Sequence, residues 1–372
     1  MIEFVKQNKH SLFETIKELC NIPAPSHYEH KRAEYCKNWL DNIGAKDAYI
    51  DSALNVILPI NCDESNEITV FVAHTDTVFS DTEPMPFVDD GEFLRSPGVG
   101  DDTTSVSVLL HTAKYFIEND IKPKNGVMFV CNSCEEGLGN LKGTKQIFKD
   151  FEGRISRFIS YDGNFCAIAD RCVGSHRYQV EIYTEGGHSY GAFGNKNAIA
   201  ELSRAITKIY EIEVPVIGNS KTTYNVGEII GGTSVNTIAQ NAAMLCEYRS
   251  DNKDCLDIMK GRFESIFQEL SKCGVELSIE LVGDRPCMGE VDTVELAKLT
   301  GICKNIIEET TGIEVTTHSS STDCNVPLSL GIPAVCVGVY SGGGAHTREE
   351  WVDKSSVPQG LVVGIKIALA LS

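Results

Sequence analysis

The feature that most constrains the fold is a series of short apolar segments, each followed by an acidic residue or a histidine. The first covers residues 69–78, Thr-Val-Phe-Val-Ala-His-Thr-Asp-Thr-Val, and its β-branched and aromatic residues predict a buried strand. Alternate strand residues face the same side, so His74 and Asp76 can both face one site. Open α/β sheets bind their ligands at the carboxyl ends of strands, and we expect the functional site there.

Two further predicted strands carry acids at the same relative position. Residues 126–132 form one strand and are followed by Glu135 and Glu136, and residues 155–160 form another, which is followed by Asp162. Adjacent glutamates repel each other, so one of them takes up a proton, or both turn into solvent, unless a cation lies close. In isolation the pair would be interpreted as an ordinary solvated loop.

The loops of the chain supply further candidate ligands. Asp101 and Asp102 stand at the entrance of an apolar helix, where capping would explain one aspartate but not two in succession. His346 lies in a glycine-rich loop after the apolar segment 332–339. Zinc binds imidazole nitrogen and carboxylate oxygen, and a pair of ions needs about five or six such ligands. The sequence therefore predicts a metal site built from strand ends and loops.

Composition excludes several classes of partner. The 372 residues include 33 basic and 52 acidic side chains, a formal charge of −19, and no run of lysine and arginine. Nucleic acids and anionic membrane surfaces require a basic footprint, so we expect neither as a partner. No apolar stretch reaches membrane-spanning length, and the amino terminus lacks the apolar segment of a signal peptide. These features predict a cytoplasmic protein.

The 14 cysteines are scattered through strand-like and helix-like segments, which favours reduced thiols in the core. Cys131 and Cys134 have the spacing of a redox or zinc motif. No second pair and no suitably spaced histidine completes a four-ligand site. We therefore interpret the cysteines as structural.

The length of the chain predicts two domains, because single cores usually stop growing below this size. Residues 174–287 contain alternating, half-exposed strands and two helices, a pattern typical of an α+β domain. We expect this domain to be inserted into an α/β domain formed by residues 1–173 and 288–372.

Five motifs follow one another along the chain: His-x-Asp-Thr-Val, Gly-x-Gly-Asp-Asp, Glu-Glu-Gly, Asp-Gly and His-Thr-x-Glu-Glu-Trp. This set resembles the M20 clan of co-catalytic zinc metallopeptidases, and within it the tripeptidase, or peptidase T-like, branch. The resemblance extends from Ile22 to Trp351. It implies a zinc-peptidase-like α/β catalytic domain, with a mixed sheet flanked by helices, and an inserted α+β lid and dimerisation domain.

The resemblance also implies a role for each clustered residue. Two zinc ions per subunit, with Co²⁺ or Mn²⁺ as substitutes, would be held by His74, Asp101, Glu136, Asp162 and His346, with Asp101 bridging both ions. Asp76 would orient His74, and Glu135 would be the general base and acid. A cis peptide bond is implied between Asp101 and Asp102.

Three residues of the inserted domain match further family positions. His188 resembles the lid histidine that supports the oxyanion, often in the site of the partner subunit. Asn236 and Arg249 match residues that hold the carbonyl or carboxylate of the substrate, although a surface ion pair is the simpler interpretation of Arg249 without the family. By the same resemblance, we expect a homodimer formed through this domain.

Two segments depart from the family pattern. Residues 101–105 read Asp-Asp-Thr-Thr-Ser where family members usually have Asp-Asp-Lys-x-Gly, and residues 190–194 read Tyr-Gly-Ala-Phe-Gly without the common proline. The expected ligands are unaffected by either change. A difference in substrate preference is the consequence we expect.

The sequence therefore predicts an enzyme that hydrolyses amide bonds of small peptides, as a tripeptide aminopeptidase does. An N-acyl amino acid deacylase, an aminoacylase or a carboxypeptidase of the same fold is the nearest alternative. Aspartate at position 162 favours the aminopeptidase, because glutamate accompanies the carboxypeptidases and deacylases of the clan. A non-catalytic metal-binding protein is a remote alternative, which predicts missing ligands, whereas every expected ligand is present in the sequence.

Overall fold

The computed structural model describes residues 1–63 and 65–372, which divide into two compact units. The first unit comprises Met1–Cys172 and Gly289–Ser372, and the second comprises Val173–Met288. The chain thus leaves the first unit, forms the second and returns to complete the first.

Helices and strands alternate along most of the described chain. In chain order, the helices are α1 Ile2–Cys20, α2 His30–Asn42, α3 Ser105–Glu118, α4 Lys142–Asp150, α5 Ala198–Tyr210, α6 Lys253–Ser271, α7 Thr293–Thr311, α8 Asn325–Ser329 and α9 Val357–Leu371. The strands are β1 Tyr49–Ile50, β2 Val56–Ile60, β3 Ile68–His74, β4 Val88–Asp89, β5 Phe93–Arg95, β6 Gly126–Asn132, β7 Ile155–Tyr161, β8 Ala167–Cys172, β9 Gly174–Tyr183, β10 Gly187–His188, β11 Thr222–Gly231, β12 Thr237–Ile238, β13 Asn241–Ser250, β14 Glu276–Arg285, β15 Thr316–Ser320, β16 Ala334–Val337, β17 Gly342–Gly343 and β18 Trp351–Asp353.

The first unit is built on an eight-stranded sheet with the order β1-β2-β6-β3-β7-β16-β8-β15. β3 runs parallel to both β6 and β7, and β16 runs parallel to β7, whereas β2 is antiparallel to β6. The sheet is therefore mixed, and the predicted α/β class with helices flanking a mixed sheet is confirmed. A smaller four-stranded sheet has the order β17-β18-β5-β4.

The central strands are apolar because the unit buries them completely. All residues of β3 and β6 are buried, and α3 packs against β3 and against α9. Strands enclosed in this way need an unbroken apolar sequence, as residues 68–73 and 126–131 have. The polar residues that follow them are therefore the first that can line a site.

Register brings these polar residues to one edge of the sheet. His74, the last residue of β3, pairs with Asn132, the last residue of β6. Tyr161, the last residue of β7, pairs with Val337, the last residue of β16. Because these four neighbouring strands are parallel, the loops that follow them leave from the same edge.

The second unit is an α+β structure, as the alternating strands predict. Its sheet has the order β11-β13-β9-β14, with all neighbours antiparallel. Every second residue of β13 is buried in a core shared with α5 and α6, including Met244, Cys246 and Tyr248. The Asn197 side chain caps α5 by accepting a hydrogen bond from the amide of Ile199 at 3.0 Å.

None of the described helices is long and apolar enough to span a membrane. The fourteen cysteines are free thiols that lie mainly in the interior, and only Cys166 and Cys273 among them are exposed. Cys131 lies within β6, and Cys134 lies in the loop that follows it. Both side chains are buried.

Candidate active site

Loops after three parallel strands bring a histidine and several acids together. Nitrogen and oxygen atoms of His74, Glu135 and Glu136 all lie within 4.8 Å of one another, and the same limit encloses atoms of His74, Asp102 and Asp162. His74, Glu135 and Glu136 are 1, 6 and 4% exposed. Residues from β3, the β6 loop and the β7 loop thus form one largely enclosed cluster.

Asp101 stands between the two predicted histidine ligands. Its Oδ1 lies 3.0 Å from Nε2 of His74, and its Oδ2 lies 3.0 Å from Nε2 of His346. His346 also approaches Glu136, with Nε2 3.5 Å from Oε1. The structure therefore brings together the five residues expected to bind metal, with Asp101 in the central position and Asp162 beside His74.

The segment that carries Asp101 differs from the simple helix entrance that the sequence suggests. Residues Val99–Thr104 form a π-helical turn before α3, and the backbones of Asp101 and Asp102 are non-helical. The peptide bond between them is cis, as the family resemblance implies. Asp102 turns inward, and its Oδ2 accepts a hydrogen bond from the amide of His74 at 2.9 Å.

Asp76 contacts His74 through both its backbone oxygen and its carboxylate. Nδ1 of His74 lies 3.0 Å from the backbone oxygen of Asp76 and 3.5 Å from its Oδ1. The carboxylate also accepts hydrogen bonds from the amides of Glu135 and Glu136, both at 2.9 Å, and from Oγ of Ser26 at 2.7 Å. Asp76 thus holds the two-glutamate loop in addition to facing the imidazole ring.

Ser26, which precedes α2, contacts Asp76 and does not cap the helix. α2 begins at His30, and its capping residue, Glu29, makes no side-chain cap. Ser26 donates to Asp76 instead, across 50 residues of sequence. No local pattern at residues 22–26 could have indicated a contact over that separation.

Glu350 is a further residue of the site that was not predicted from the sequence. Its buried carboxylate accepts hydrogen bonds from the amides of Gly98, Gly100 and Asp101 at 2.6, 2.9 and 2.8 Å. It therefore fixes the turn that presents Asp101. Its place in the His-Thr-x-Glu-Glu-Trp motif was the available signal.

Asp323 is a second buried acid that was not predicted from the sequence. It accepts hydrogen bonds from Asn132 at 2.7 Å and from Thr144 at 2.5 Å. Burial, followed by the charge of Glu135, raises the pKa of Asp323 to about 7. It ties the end of β6 to α4 behind the cluster.

In the second unit, His188 and Asn236 lie close together. β10 and β12 pair so that His188 faces Thr237, and the amide of Ser189 donates to the backbone oxygen of Asn236 at 2.9 Å. Nδ1 of His188 accepts from the amides of Tyr190 and Gly191 at 3.3 Å. The imidazole of His188 is exposed.

Arg249 lies apart from this pair. It faces Ser175 at one end of β13, whereas Asn241, close to β12, is at the other end, roughly 26 Å away along the strand. Nε and Nη2 of Arg249 donate to the carboxylate of Glu247 at 2.7 and 3.0 Å. Glu247 also accepts from Arg177 at 3.1 Å, so Arg249 does take part in an ion pair.

The model of peptidase family M20/M25/M40 matches residues 70–370, a range that includes all five clustered residues. The chain belongs to this family. The resemblance inferred from the five motifs is thereby confirmed, and with it a hydrolase class that acts on peptide bonds.

Similar proteins in this family have different described activities. A tripeptidase from Staphylococcus aureus has a TM-score of 0.72 and 19% identity, covering 97% of this chain and 99% of that one. A Bacillus subtilis dinuclear metal-binding peptidase of the M20 family has a TM-score of 0.66 and 13% identity, covering 98 and 99%. Succinyl-diaminopimelate desuccinylase from Corynebacterium glutamicum is 24% identical over 344 residues, which are 90% of this chain and 89% of the relative. These similarities support the fold.

The protonation equilibria of the M20 site are dominated by burial and by neighbouring carboxylates. Burial opposes the protonation of His74, but the charges of Asp102 and Asp101 outweigh it and raise the pKa of His74 well above its usual value. Burial raises the pKa of Glu136 to about 7, and burial followed by the charge of Asp101 raises the pKa of Asp162 well above its usual range. Without a cation, the cluster therefore retains protons.

This donor set fits the pair of metal ions that the M20 family binds. Buried oxygens Oε1 of Glu136 and Oδ1 of Asp102 have no hydrogen-bond partner within residues 1–63 and 65–372, although His346 is 3.5 Å from the former. Unpartnered buried carboxylate oxygens are costly unless a cation binds them. One imidazole and one acid lie on each side of Asp101, which suits two ions with a shared ligand.

Proposed function

We propose that this M20 protein is a two-zinc peptidase that releases amino-terminal residues from small peptides, with tripeptides as its substrates. One observation carries the proposal: each carboxylate oxygen of Asp101 faces a different histidine at 3.0 Å. A carboxylate in this position suits a ligand shared by two ions. His74 and Asp162 would hold one ion, and His346 and Glu136 the other.

When bound, the ions supply Lewis-acid polarisation of the scissile carbonyl and lower the pKa of water towards neutrality. Glu135, which is 6% exposed and within 4.8 Å of His74 and Glu136, is placed to take a proton from the attacking water. It then gives this proton to the leaving amine, as a general base and acid. Asp76 keeps Glu135 in place through its amide.

The surroundings of Glu135 favour this role. Its neighbour Glu136 faces His346, with Oε1 3.5 Å from Nε2, and its neighbour Asp323 accepts hydrogen bonds from Asn132 and Thr144, so both are engaged by other groups. Glu135 can then exchange the proton, while Glu136 serves as a proposed metal ligand and Asp323 bonds the side chains of Asn132 and Thr144. This separation of roles among adjacent acids is typical of acid–base catalysis.

The preference for a free amino terminus rests on Asp162 and on the acidity of the protein. The formal charge of −19 gives the protein a negative field, which favours a cationic amino group over a neutral N-acyl group. The desuccinylase similarity keeps the N-acyl amino acid deacylase as a second candidate. Zinc as the native metal, homodimerisation through the second unit and the roles of His188, Asn236 and Arg249 stay predictions.

Three substrates separate these candidates. The zinc-loaded protein is offered trialanine, N-acetyltrialanine and N-acetylalanine, and release of alanine is measured by chromatography with and without a chelator. We expect metal-dependent release of the amino-terminal residue from trialanine only. Hydrolysis of N-acetylalanine in its place would support the deacylase, and release of the carboxyl-terminal residue from N-acetyltrialanine would support a carboxypeptidase.

A further inference from the structure

The loop that carries Glu135 is fixed through its backbone by buried acids. Three consecutive amides, of residues 134, 135 and 136, donate to carboxylates, at 3.0, 2.9 and 2.9 Å. The last two bonds go to Asp76, which belongs to the site already described. The first goes to Glu29, which no motif or site role explains.

Glu29 is an unusual buried acid. It is fully buried, and its Oε1 accepts both the amide of Cys134 at 3.0 Å and the thiol of Cys134 at 3.2 Å. Its Oε2 is buried and has no hydrogen-bond partner in the described part of the chain. A buried oxygen without a partner lowers the stability of the fold. Packing alone therefore does not explain a carboxylate at Glu29.

Cys134, the residue that Glu29 contacts, has a backbone conformation that residues other than glycine rarely adopt. Cys134 has φ of +58°, in the left-handed region, where a residue other than glycine is strained by about 1 kcal/mol or more. Two further parts of the loop lie close to Cys134. Its backbone oxygen accepts from the amide of Leu141 at 2.9 Å, and a Cβ on Gly139 would come within 2.8 Å of its Cα.

We propose that Glu29 is a positioning residue for the general base. It holds Cys134 in the left-handed conformation and thereby sets the direction in which Glu135 leaves β6. The side-chain hydrogen bonds of Glu29 in the described part of the chain go to Cys134 and to none of the clustered ligands, so its effect passes through Cys134. The inference rests on the proposed role of Glu135.

Neighbouring contacts support the same function. His27 lies in the same segment as Glu29, and its Nε2 is 3.3 Å from the backbone oxygen of Leu138. Ser26 bonds Asp76 at 2.7 Å and lies 3.3 Å from the backbone oxygen of Glu136. The segment of residues 26–29, before α2, therefore contacts the loop of residues 134–138 at three points.

The test compares Glu29→Ala and Glu29→Gln with wild type in steady-state cleavage of trialanine at saturating zinc. Alanine removes the acceptor, whereas glutamine can keep one oxygen for the Cys134 amide. We expect kcat to fall about 10- to 100-fold in Glu29→Ala and less in Glu29→Gln, with KM and bound zinc within about twofold of wild type. Glu308→Gln is the matched control, because Glu308 also accepts one backbone amide, that of Val315 at 3.0 Å, in the same unit.

A double-mutant cycle tests whether the effect of Glu29 passes through Cys134. Glycine has no strain at positive φ, so Glu29→Ala should cost less in a Cys134→Gly background than in wild type. Unchanged kcat per folded, zinc-loaded molecule in both Glu29 variants would overturn the inference, and so would strict additivity in the cycle. Wild-type protein that cleaves no peptide would instead refute the proposed function, which keeps the two failures distinguishable.

Discussion

At the scale of single residues, two kinds of side chain build the site: those that face the proposed ions, and buried acids that fix the backbone of the surrounding loops. His74, Glu135 and Asp162 follow apolar strands, so their position was readable from the pattern. Glu350 contacts the amide of Asp101 across 249 residues, and no local pattern encodes such a contact. Only the motif containing Glu350 indicated that the residue mattered.

Replacement of Glu135 by glutamine tests the division of roles between the adjacent glutamates. The amide cannot accept a proton, so we expect kcat to fall about 10²- to 10⁴-fold. Zinc content should stay unchanged, because the proposed ligands are Glu136 and residues of other strands. Metal analysis and peptide cleavage on the same preparation measure both; retained turnover would reject Glu135 as the base.

Glu350→Ala should weaken the turn that presents Asp101. The substitution leaves three buried amides without their acceptor, which costs about 3 kcal/mol or more in the free energy of unfolding. We also expect weaker zinc binding in a chelator competition. Glu349→Ala is the control, since that neighbouring side chain is exposed. Equal stability and zinc affinity in the two variants would contradict the assigned role of Glu350.

At the scale of elements, long periodic segments were predictable and irregular ones were not. The last helix, Val357–Leu371, has a continuous apolar pattern of the kind that local sequence is sufficient to predict. The turn at Val99–Thr104 was expected as a plain helix start. Its shape depends on Glu350, a tertiary contact that local propensity does not contain.

The helix α3 carries a buried histidine that should make stability depend on pH. Nδ1 of His111 bonds the backbone oxygen of Ser107 at 2.9 Å, Nε2 lies 3.2 Å from Oγ of Ser11, and the ring packs on Trp39. Burial lowers the pKa of His111 to about 4. The unfolded chain, with a pKa of about 6.5, binds a proton first, so stability is full above pH 6.5 and falls as the pH decreases towards 4.

This loss is measurable by comparison with His111→Gln. Between pH 7 and pH 5, wild type should lose about 2 kcal/mol more unfolding free energy than the variant, which cannot titrate at this position. Urea unfolding in the presence of a chelator keeps the metal site constant in both proteins. Parallel losses in the two proteins would show that His111 does not carry the effect.

At the scale of the whole molecule, the alternating strand pattern predicted the inserted α+β unit, and the family resemblance implied the mixed sheet. Interruption of one unit by another is visible in sequence when the strand pattern changes from fully apolar to alternating, as it does near β9. The proposed metal ligands all belong to the first unit, on both sides of the insertion. The carboxyl-terminal part supplies His346, so the site is complete only after the chain returns.

Metal binding should therefore stabilise the first unit selectively. Zinc at about 100 times its dissociation constant adds about 2.7 kcal/mol for each independent site. In hydrogen exchange, we expect zinc to slow the amides of residues 98–105 and 134–137 and to leave β9, β11 and β13 unchanged. Protection confined to the second unit, or absent from both segments, would contradict the location of the site.

The central claim is that two ions share Asp101. Zinc-edge anomalous diffraction from crystals of the zinc-loaded protein tests it most directly. The account predicts two anomalous peaks per chain, one beside His74 and Asp162 and one beside His346 and Glu136, with the Asp101 carboxylate contacting both. A single peak, or two peaks that do not share Asp101, would contradict it.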